Sequence, residues 1–331
     1  MVAKRHSVAQ YEAGILAGNR SLLSQSISLV ESELEADRKL ANQLIEQVLP
    51  LTGNALRIGI SGIPGVGKST FINSFGQLLL SKGHKTAVLT VDPSSGKSRG
   101  SILADKTRME TLSHHPSAYV RPSPAGKNLG GISAKTRETM LLCEAAGFDR
   151  ILVETVGVGQ SETSVKDMVD VFLLLMITGT GDELQGIKRG IMEWADIFVI
   201  NKADGANAPE AEKMKQVLQT ILPLISPVGK EWDNPVKTCS ALNGKGMVDL
   251  LESLDVLVEK MKDSGQFQQT RKIQQRQWLE DHISFLLLKK FNENSSVELE
   301  KQKAIEILNQ EKANPIGLAE ELVRRFFEIN Q

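Results

Sequence analysis

Cysteine is nearly absent from this chain: Cys143 and Cys239 are the only two in 331 residues. They form no C-x-x-C pair and sit in apolar surroundings, which predicts buried, reduced thiols. Long hydrophobic runs are missing too. The longest fully apolar stretch, Val171 to Ile177, is seven residues, far short of a membrane span. The opening Met1-Val-Ala-Lys-Arg-His-Ser7 carries basic residues but no apolar signal-peptide region behind them. A soluble, cytoplasmic protein is the expectation. Charge of one sign is also lacking: 39 basic residues stand against 40 acidic ones. That balance gives no electrostatic reason to expect nucleic-acid binding. There is no internal repeat and no low-complexity tract.

What is present begins with Gly62-Ile-Pro64-Gly65-Val66-Gly67-Lys68-Ser69-Thr70, a match to G-x-x-x-x-G-K-[ST]. The apolar run Leu56-Arg-Ile-Gly-Ile60 precedes it and reads as a buried strand. Phe71, Ile72, Phe75, Leu78 and Leu79 follow at helical spacing. Strand, glycine loop and helix are what phosphate binding requires. Glycines let backbone N–H groups approach phosphate oxygens, and the helix N-terminus adds partial positive charge. In this motif Lys68 reaches the β- and γ-phosphates, and the Ser69 hydroxyl ligates Mg²⁺.

A second motif selects the base. Asp196-Ile-Phe-Val-Ile-Asn201-Lys202-Ala203-Asp204 is a hydrophobic strand ending in N-K-x-D. A carboxylate there can accept both N–H donors of guanine, on N1 and the 2-amino group. Adenine lacks that donor pair and would leave buried groups unpaired. Farther on, Ser240-Ala241-Leu242 looks like the loop that closes over the base in GTPases. GTP is therefore the expected nucleotide.

The length accommodates one large α/β domain with helical additions. Residues 1–54 read as an N-terminal helical extension, 55–262 as a P-loop GTPase domain and 263–331 as a C-terminal helical arm. Within the central part, candidate strands at 56–61, 86–91, 118–121, 151–154, 170–177, 196–201 and 236–240 alternate with helical patterns. This rhythm predicts an α/β fold with a mostly parallel sheet flanked by helices, and a ligand at the carboxyl ends of its strands. The polar stretch Asp263-Ser-Gly-Gln-Phe-Gln-Gln269 reads as a linker. Beyond it, Trp278, Ile283, Phe285 to Leu288 and Phe291 are too many apolar residues for a one-sided stripe, so that helix wants two partners.

Asp92 and Glu154 each end a candidate strand, and Asp105 lies in the segment between two others. With Ser69, these carboxylates are candidate Mg²⁺ ligands, since Mg²⁺ prefers oxygen donors and keeps several waters. Gly157, just after Glu154, is where a backbone N–H would sense the γ-phosphate, a device for ordering a loop. Gln160 is the candidate for positioning the attacking water. Lys188 or Arg189 could stabilise transition-state charge beside Lys68. His114-His115, ahead of Pro116, reads as a surface loop rather than a metal site.

Together these segments resemble the methylmalonyl-CoA-mutase-associated GTPases. These are G-protein chaperones in the SIMIBI group, once described as arginine/ornithine transport ATPases. The matching stretches include Gly62–Thr70, Val91–Ser95, Gly100–Met109, Lys135–Glu138, Glu154–Glu162, Gly181–Gly190 and Asn201–Gly205. The Glu154 and Asp182 stretches are more specific than the P-loop and N-K-x-D. The resemblance implies phosphate binding by Lys68, Ser69 and the loop backbone, and guanine reading by Asn201 and Asp204. It places Asp92, Asp105 and Glu154 in the Mg²⁺ and switch regions and the Asp182–Lys188 stretch in a third switch. It further implies a homodimer formed through the C-terminal helices. The implied partner is an adenosylcobalamin-dependent acyl-CoA mutase that itself holds the cobalamin, whose loading and protection this chain would serve. The chain departs from the family pattern at Gly96–Gly100, at Ala104 and at Ile177-Thr178. Two alternatives stay open: a nickel-insertion metallochaperone GTPase, against which stand only five scattered histidines, and a transport-associated ATPase or kinase.

Overall fold

The computed structural model describes residues 5–91, 109–122, 129–155, 161–179, 189–225, 234–310 and 313–329. By its contacts the chain falls into two units, Met1–Gln274 and Gln275–Gln331.

The first unit is built on a seven-stranded parallel sheet in the order β3-β2-β4-β1-β5-β6-β7. The strands are β1 (Leu56–Gly62), β2 (Thr86–Val91), β3 (Ala118–Pro122), β4 (Arg150–Thr155), β5 (Val171–Met176), β6 (Ile197–Ile200) and β7 (Val236–Thr238). β5 and β6 are buried along their whole length. Helices on both faces of a parallel sheet demand such continuous apolar runs, where a half-exposed sheet would show alternation. Two apolar clusters follow, one on each face. Every candidate strand is present, with ends shifted by two residues or fewer.

The chain winds outward from β1 to β2 and β3, returns as β4 beside β1, and then runs the other way through β5, β6 and β7. That reversal opens a crevice at the carboxyl ends of the central strands, where open α/β sheets place ligands. The helix after β1 spans Lys68–Ser81 and buries Phe71, Ile72, Phe75 and Leu79 completely, at the expected spacing. Each such burial is worth roughly 1.5–3 kcal/mol.

Three N-terminal helices, α1 (Val8–Leu16), α2 (Arg20–Glu31) and α3 (Glu35–Val48), pack in the same unit. Ser7 and Gln10 close a capping box on α1, and Asn19 caps α2. Their polar residues reach the edge strand β3 and its flank. Tyr119 shares a hydrogen bond with Ser24 at 3.0 Å, and Arg121 donates to Glu31 at 2.6 Å. These bonds tie one face of the outermost strand to the N-terminal helices.

The polar stretch Asp263–Gln269 is not a linker, apart from Ser264 and Gly265. One helix ends at Asp263 and the next spans Gln266–Glu293. Burial decides this. Phe267 is 6% exposed, and four residues on Arg271 sits in a buried ion pair with Asp170 at 2.7 Å. His114 likewise lies not in a loop but at the end of a short helix, Glu110–His114, where its Nδ1 pairs with the Glu110 carbonyl. In the second unit, Ser295–Gln310 and Pro315–Ile329 are helical. Phe291 and Phe326 meet edge to face at 5.3 Å, and Arg325 bonds Glu300 at 2.8 Å. Leu279, Leu288, Leu299, Ile316 and Phe327 remain more than half exposed.

Candidate nucleotide site

The loop Gly62–Gly67 joins the end of β1 to the helix Lys68–Ser81. Gly67 has φ +92°, and a Cβ there would lie 2.9 Å from Asn201 Nδ2, so both conformation and space require glycine. Val66 is fully buried and anchors the loop, while Pro64 and Gly65 are exposed at its tip. Lys68 and Ser69 occupy the first helical turn, and Thr70 faces solvent. Lys68 Nζ donates to the Gly62 carbonyl at 2.7 Å and the Ile63 carbonyl at 3.4 Å. Burial pushes its ammonium below the ordinary lysine range, and the carboxylates of Glu154 and Glu162 pull it back up. An incoming phosphate would reinforce the charged form in the same way.

Behind the loop runs a buried polar chain. Thr155 Oγ1 donates to Ser61 Oγ at 2.9 Å, and Ser61 Oγ donates to Glu162 Oε1 at 3.3 Å. Glu162 is 7% exposed and begins the helical turn after β4. The loop thus has a rigid polar backing that couples β1, β4 and the segment beyond β4.

The second half of the site follows β6. Asn201 is 1% exposed, and its side chain is a brace. Its Nδ2 donates to the Val66 carbonyl at 2.8 Å, and its Oδ1 accepts from Ala241 N at 3.1 Å. One amide therefore joins the phosphate loop to the loop after β7. Lys202 adopts φ +57° and extends its Nζ to the Gly65 carbonyl at 2.9 Å, lying across the phosphate loop. Asp204 accepts a short hydrogen bond from Ser240 Oγ, which orients its carboxylate. Ser240 and Ala241 are buried and Leu242 is 85% exposed. The Asp204 carboxylate is thus fixed by the hydroxyl of Ser240, whose neighbour Ala241 is itself bonded to Asn201.

Glu154 is the penultimate residue of β4, half-buried, close enough to Lys68 to influence it. With the Ser69 hydroxyl it offers an all-oxygen donor set, which suits a hard divalent cation sharing its shell with phosphates and water. Among the described residues no group of three or more His, Cys, Asp or Glu could hold a metal by itself. Asp92, Asp105, Gly157, Gln160 and Lys188 lie outside the described residues.

The arrangement up to this point is a glycine-rich loop braced to the N-K-x-D turn and to the loop after β7, across one parallel sheet. The family model described as Methylmalonyl Co-A mutase-associated GTPase MeaB matches residues 23–296. The chain belongs to that family. A Caulobacter vibrioides protein named as a putative GTPase is 51% identical over 268 residues, covering 81% of this chain and 82% of its own. GTPase ArgK of Escherichia coli is 47% identical over 262 residues, 79% of each chain. The mouse mitochondrial methylmalonic aciduria type A homolog is 43% identical over 294 residues, 86% of this chain and 71% of its own. A crystal structure of an LAO/AO transport system kinase superposes with a TM-score of 0.75 at 34% identity, covering 98% of this chain and 99% of that one. The chain is a GTPase of the MeaB family, with the P-loop fold expected of it.

Some residues of the site carried no sequence signal. Ser74, on the face of the P-loop helix, donates to the Ala241 carbonyl. Ala241 is thus fixed at both its N–H and its C=O by side chains. Asn207 and Thr178 pair beside the turn that carries Asp204. A serine inside a helix and an asparagine just beyond N-K-x-D are ordinary in any sequence, and only the fold shows where they point.

Proposed function

We propose that this MeaB-family GTPase binds GTP with Mg²⁺ at the carboxyl ends of β1, β4 and β6 and serves an adenosylcobalamin-dependent acyl-CoA mutase, methylmalonyl-CoA mutase first. In this reading the GTP cycle gates cofactor loading and protects or reactivates the mutase, which itself holds the cobalamin. The observation that carries the nucleotide part is the Asn201 brace between Val66 and Ala241. It makes phosphate loop and base loop one unit. The family description and the name of the mouse relative support the mutase as partner.

Hydrolysis on this site is a matter of positioning and charge. Lys68 leaves the Gly62 and Ile63 carbonyls for the β- and γ-phosphates. Ser69, with Glu154, Asp92 and Asp105, holds the Mg²⁺, which neutralises phosphate charge when bound. Asp204, oriented by Ser240, accepts both guanine donors, while Lys202 packs along the base. Gly157 reports on the γ-phosphate, Gln160 orients water, and Lys188 adds charge when the partner is bound. The C-terminal helices, 263–331, form the homodimer contact, their exposed leucines and Phe327 finding cover on a second copy. No helix among the described residues is long and apolar enough to cross a membrane.

The test is GTP hydrolysis with and without purified methylmalonyl-CoA mutase from the same source, with ATP as control. Acceleration of GTP turnover by the mutase supports the reading, and turnover indifferent to it removes that partner. Lys68→Ala should abolish turnover in both arms. Unchanged hydrolysis in that variant would sink the site assignment.

A further inference from the structure

The turn that presents Asp204 is held by a residue outside its motif. Lys202 has φ +57°, a left-handed conformation that costs a non-glycine residue on the order of 1–2 kcal/mol. Something must hold it there. Its ammonium is held by the Gly65 carbonyl, and its carbonyl accepts from Asn207 Nδ2 at 2.7 Å. The Asn207 backbone N–H bonds the Asp204 carbonyl at 3.0 Å, closing the short turn Gly205–Asn207. Asn207 therefore holds both Asp204 itself and the residue two before it.

The remaining group of Asn207 points to another strand. Its Oδ1 accepts a short hydrogen bond from Thr178 Oγ1. Thr178 lies two residues beyond the end of β5. This contact also fixes the amide, oxygen toward the hydroxyl and nitrogen toward the Lys202 carbonyl. Both Thr178 and Asn207 are part-buried, so water competes poorly for the pair.

We propose that Asn207 is a positioning residue for guanine recognition, and that Thr178 makes the geometry of the base-reading turn depend on the chain leaving β5. This rests on the reading of Asp204 as the guanine contact. Neither side chain touches the nucleotide. Each acts by fixing the backbone that carries Asp204. The consequence is a physical link from the base pocket to the chain leading into residues 182–188, the stretch likened above to a third switch. Guanine seated on Asp204 would favour the paired Thr178, and a Thr178 drawn away would loosen guanine.

The experiment is titration calorimetry of the full chain with GDP, IDP and XDP in the presence of Mg²⁺. IDP lacks the 2-amino group and XDP carries a carbonyl in its place. Losing one partly buried hydrogen bond weakens an equilibrium by roughly 2- to 12-fold. Thr178→Val should weaken GDP within that range, and Thr178→Ser should stay within about twofold of the parent. Asn207→Ala should weaken GDP about tenfold or more and shrink the preference for GDP over IDP. The double variant Thr178→Val/Asn207→Ala should bind no more weakly than Asn207→Ala alone, because both act through one amide. A merely structural asparagine would lower thermal stability and leave the GDP-to-IDP ratio unchanged. That result, or additive effects of the two substitutions, overturns the proposal. Asp204→Asn separates the underlying reading, since its amide should turn the preference from GDP to XDP. If it does not, Asp204 is not the guanine contact and the proposal falls with it. If it does while Asn207→Ala leaves the ratio intact, only the positioning role fails.

Discussion

Replacing Arg271 by methionine should destabilise the first unit by about 3–5 kcal/mol without changing nucleotide affinity. The magnitude comes from the company Arg271 keeps. The Asp170 side chain is 1% exposed. It takes Arg271 Nε at 2.7 Å on one oxygen, with Nη2 at 2.8 Å and Arg57 N at 2.8 Å on the other. Arg271 also donates to the carbonyls of Gly53 and Ala55 and lies over the Phe267 ring, 4.5 Å from its centroid. Methionine keeps most of the packing on Phe267 but strands a buried carboxylate with a single N–H donor. The stranded charge, rather than the lost bridge, sets the cost. A second variant isolates it. Asp170→Asn/Arg271→Met contains no stranded charge, and Asn Oδ1 still accepts from Arg57 N. It should recover at least about 1 kcal/mol relative to Arg271→Met alone. Equilibrium urea denaturation followed by far-UV circular dichroism reads both numbers. The reasoning is refuted if Arg271→Met costs less than about 1 kcal/mol, or if the double variant is the less stable of the two. GDP affinity is the control. Asp170 precedes β5 and Ala55 precedes β1, so the cluster sits at the amino ends of the strands, opposite the phosphate loop.

Two other perturbations separate function from stability. Asn201→Ala leaves the Val66 carbonyl and the Ala241 N–H unpaired in a buried place, at roughly 1–3 kcal/mol each. Its urea midpoint should fall and its GDP affinity should drop more than tenfold, and retention of affinity would show that the two loops need no brace. Glu138 carries a pH dependence. Burial raises its carboxyl to about 7, against the pull of Arg38 and Lys135. A carboxyl raised in the folded state holds its proton longer there than in the unfolded chain. Its contribution to stability is therefore fullest below the ordinary carboxylate range and declines as pH rises to about 7, by about 3 kcal/mol in total. Glu138→Gln should flatten that decline between pH 5 and 8 in urea titrations, and an unchanged slope would assign it to other groups.

The sheet was legible because its strands are buried on both faces. Runs such as Val171–Met176 leave no room for a helical period and are bounded by loops, so their position and length can be read directly. The strand, glycine loop and helix at 56–81 were legible for a related reason, since a left-handed turn as tight as that at Gly67 admits few residue types. Less legible were contacts that depend on which loops become neighbours. The resemblance assigns Asn201 to guanine, and the fold adds what no motif states: its side chain engages Val66 and Ala241, two loops far apart in the sequence. The stretch Asp263–Gln269 reads as a linker because its composition is polar. Its one aromatic, Phe267, and the arginine four residues on find partners that composition does not reveal.

These long-range contacts share a pattern that bears on how the molecule works. At the carboxyl ends of the strands, single polar side chains join loops pairwise: Asn201 joins the glycine loop to the loop after β7, Ser74 joins its helix to that same loop, and Asn207 joins the turn at Asp204 to the exit of β5. Each such bond is worth roughly 1 kcal/mol, a scale that nucleotide binding can make or break. At the amino ends the contacts are charged, buried and several deep, as in Asp170 with Arg271 and Glu144 with Arg57 at 2.6 Å. Breaking one of those costs several kcal/mol, more than a coupling of typical size can supply. The sheet therefore has a fixed end and an adjustable end. This difference predicts that rearrangement on nucleotide binding is confined to the loops that follow the strands, with the Asp170–Arg271 anchor at the start of the helix that begins at Gln266 unchanged. Hydrogen exchange with GDP bound and absent should show it. Amides at 201–207 and 240–244 should change protection while those at 53–57 and 267–274 do not. Change at 267–274 would contradict the division.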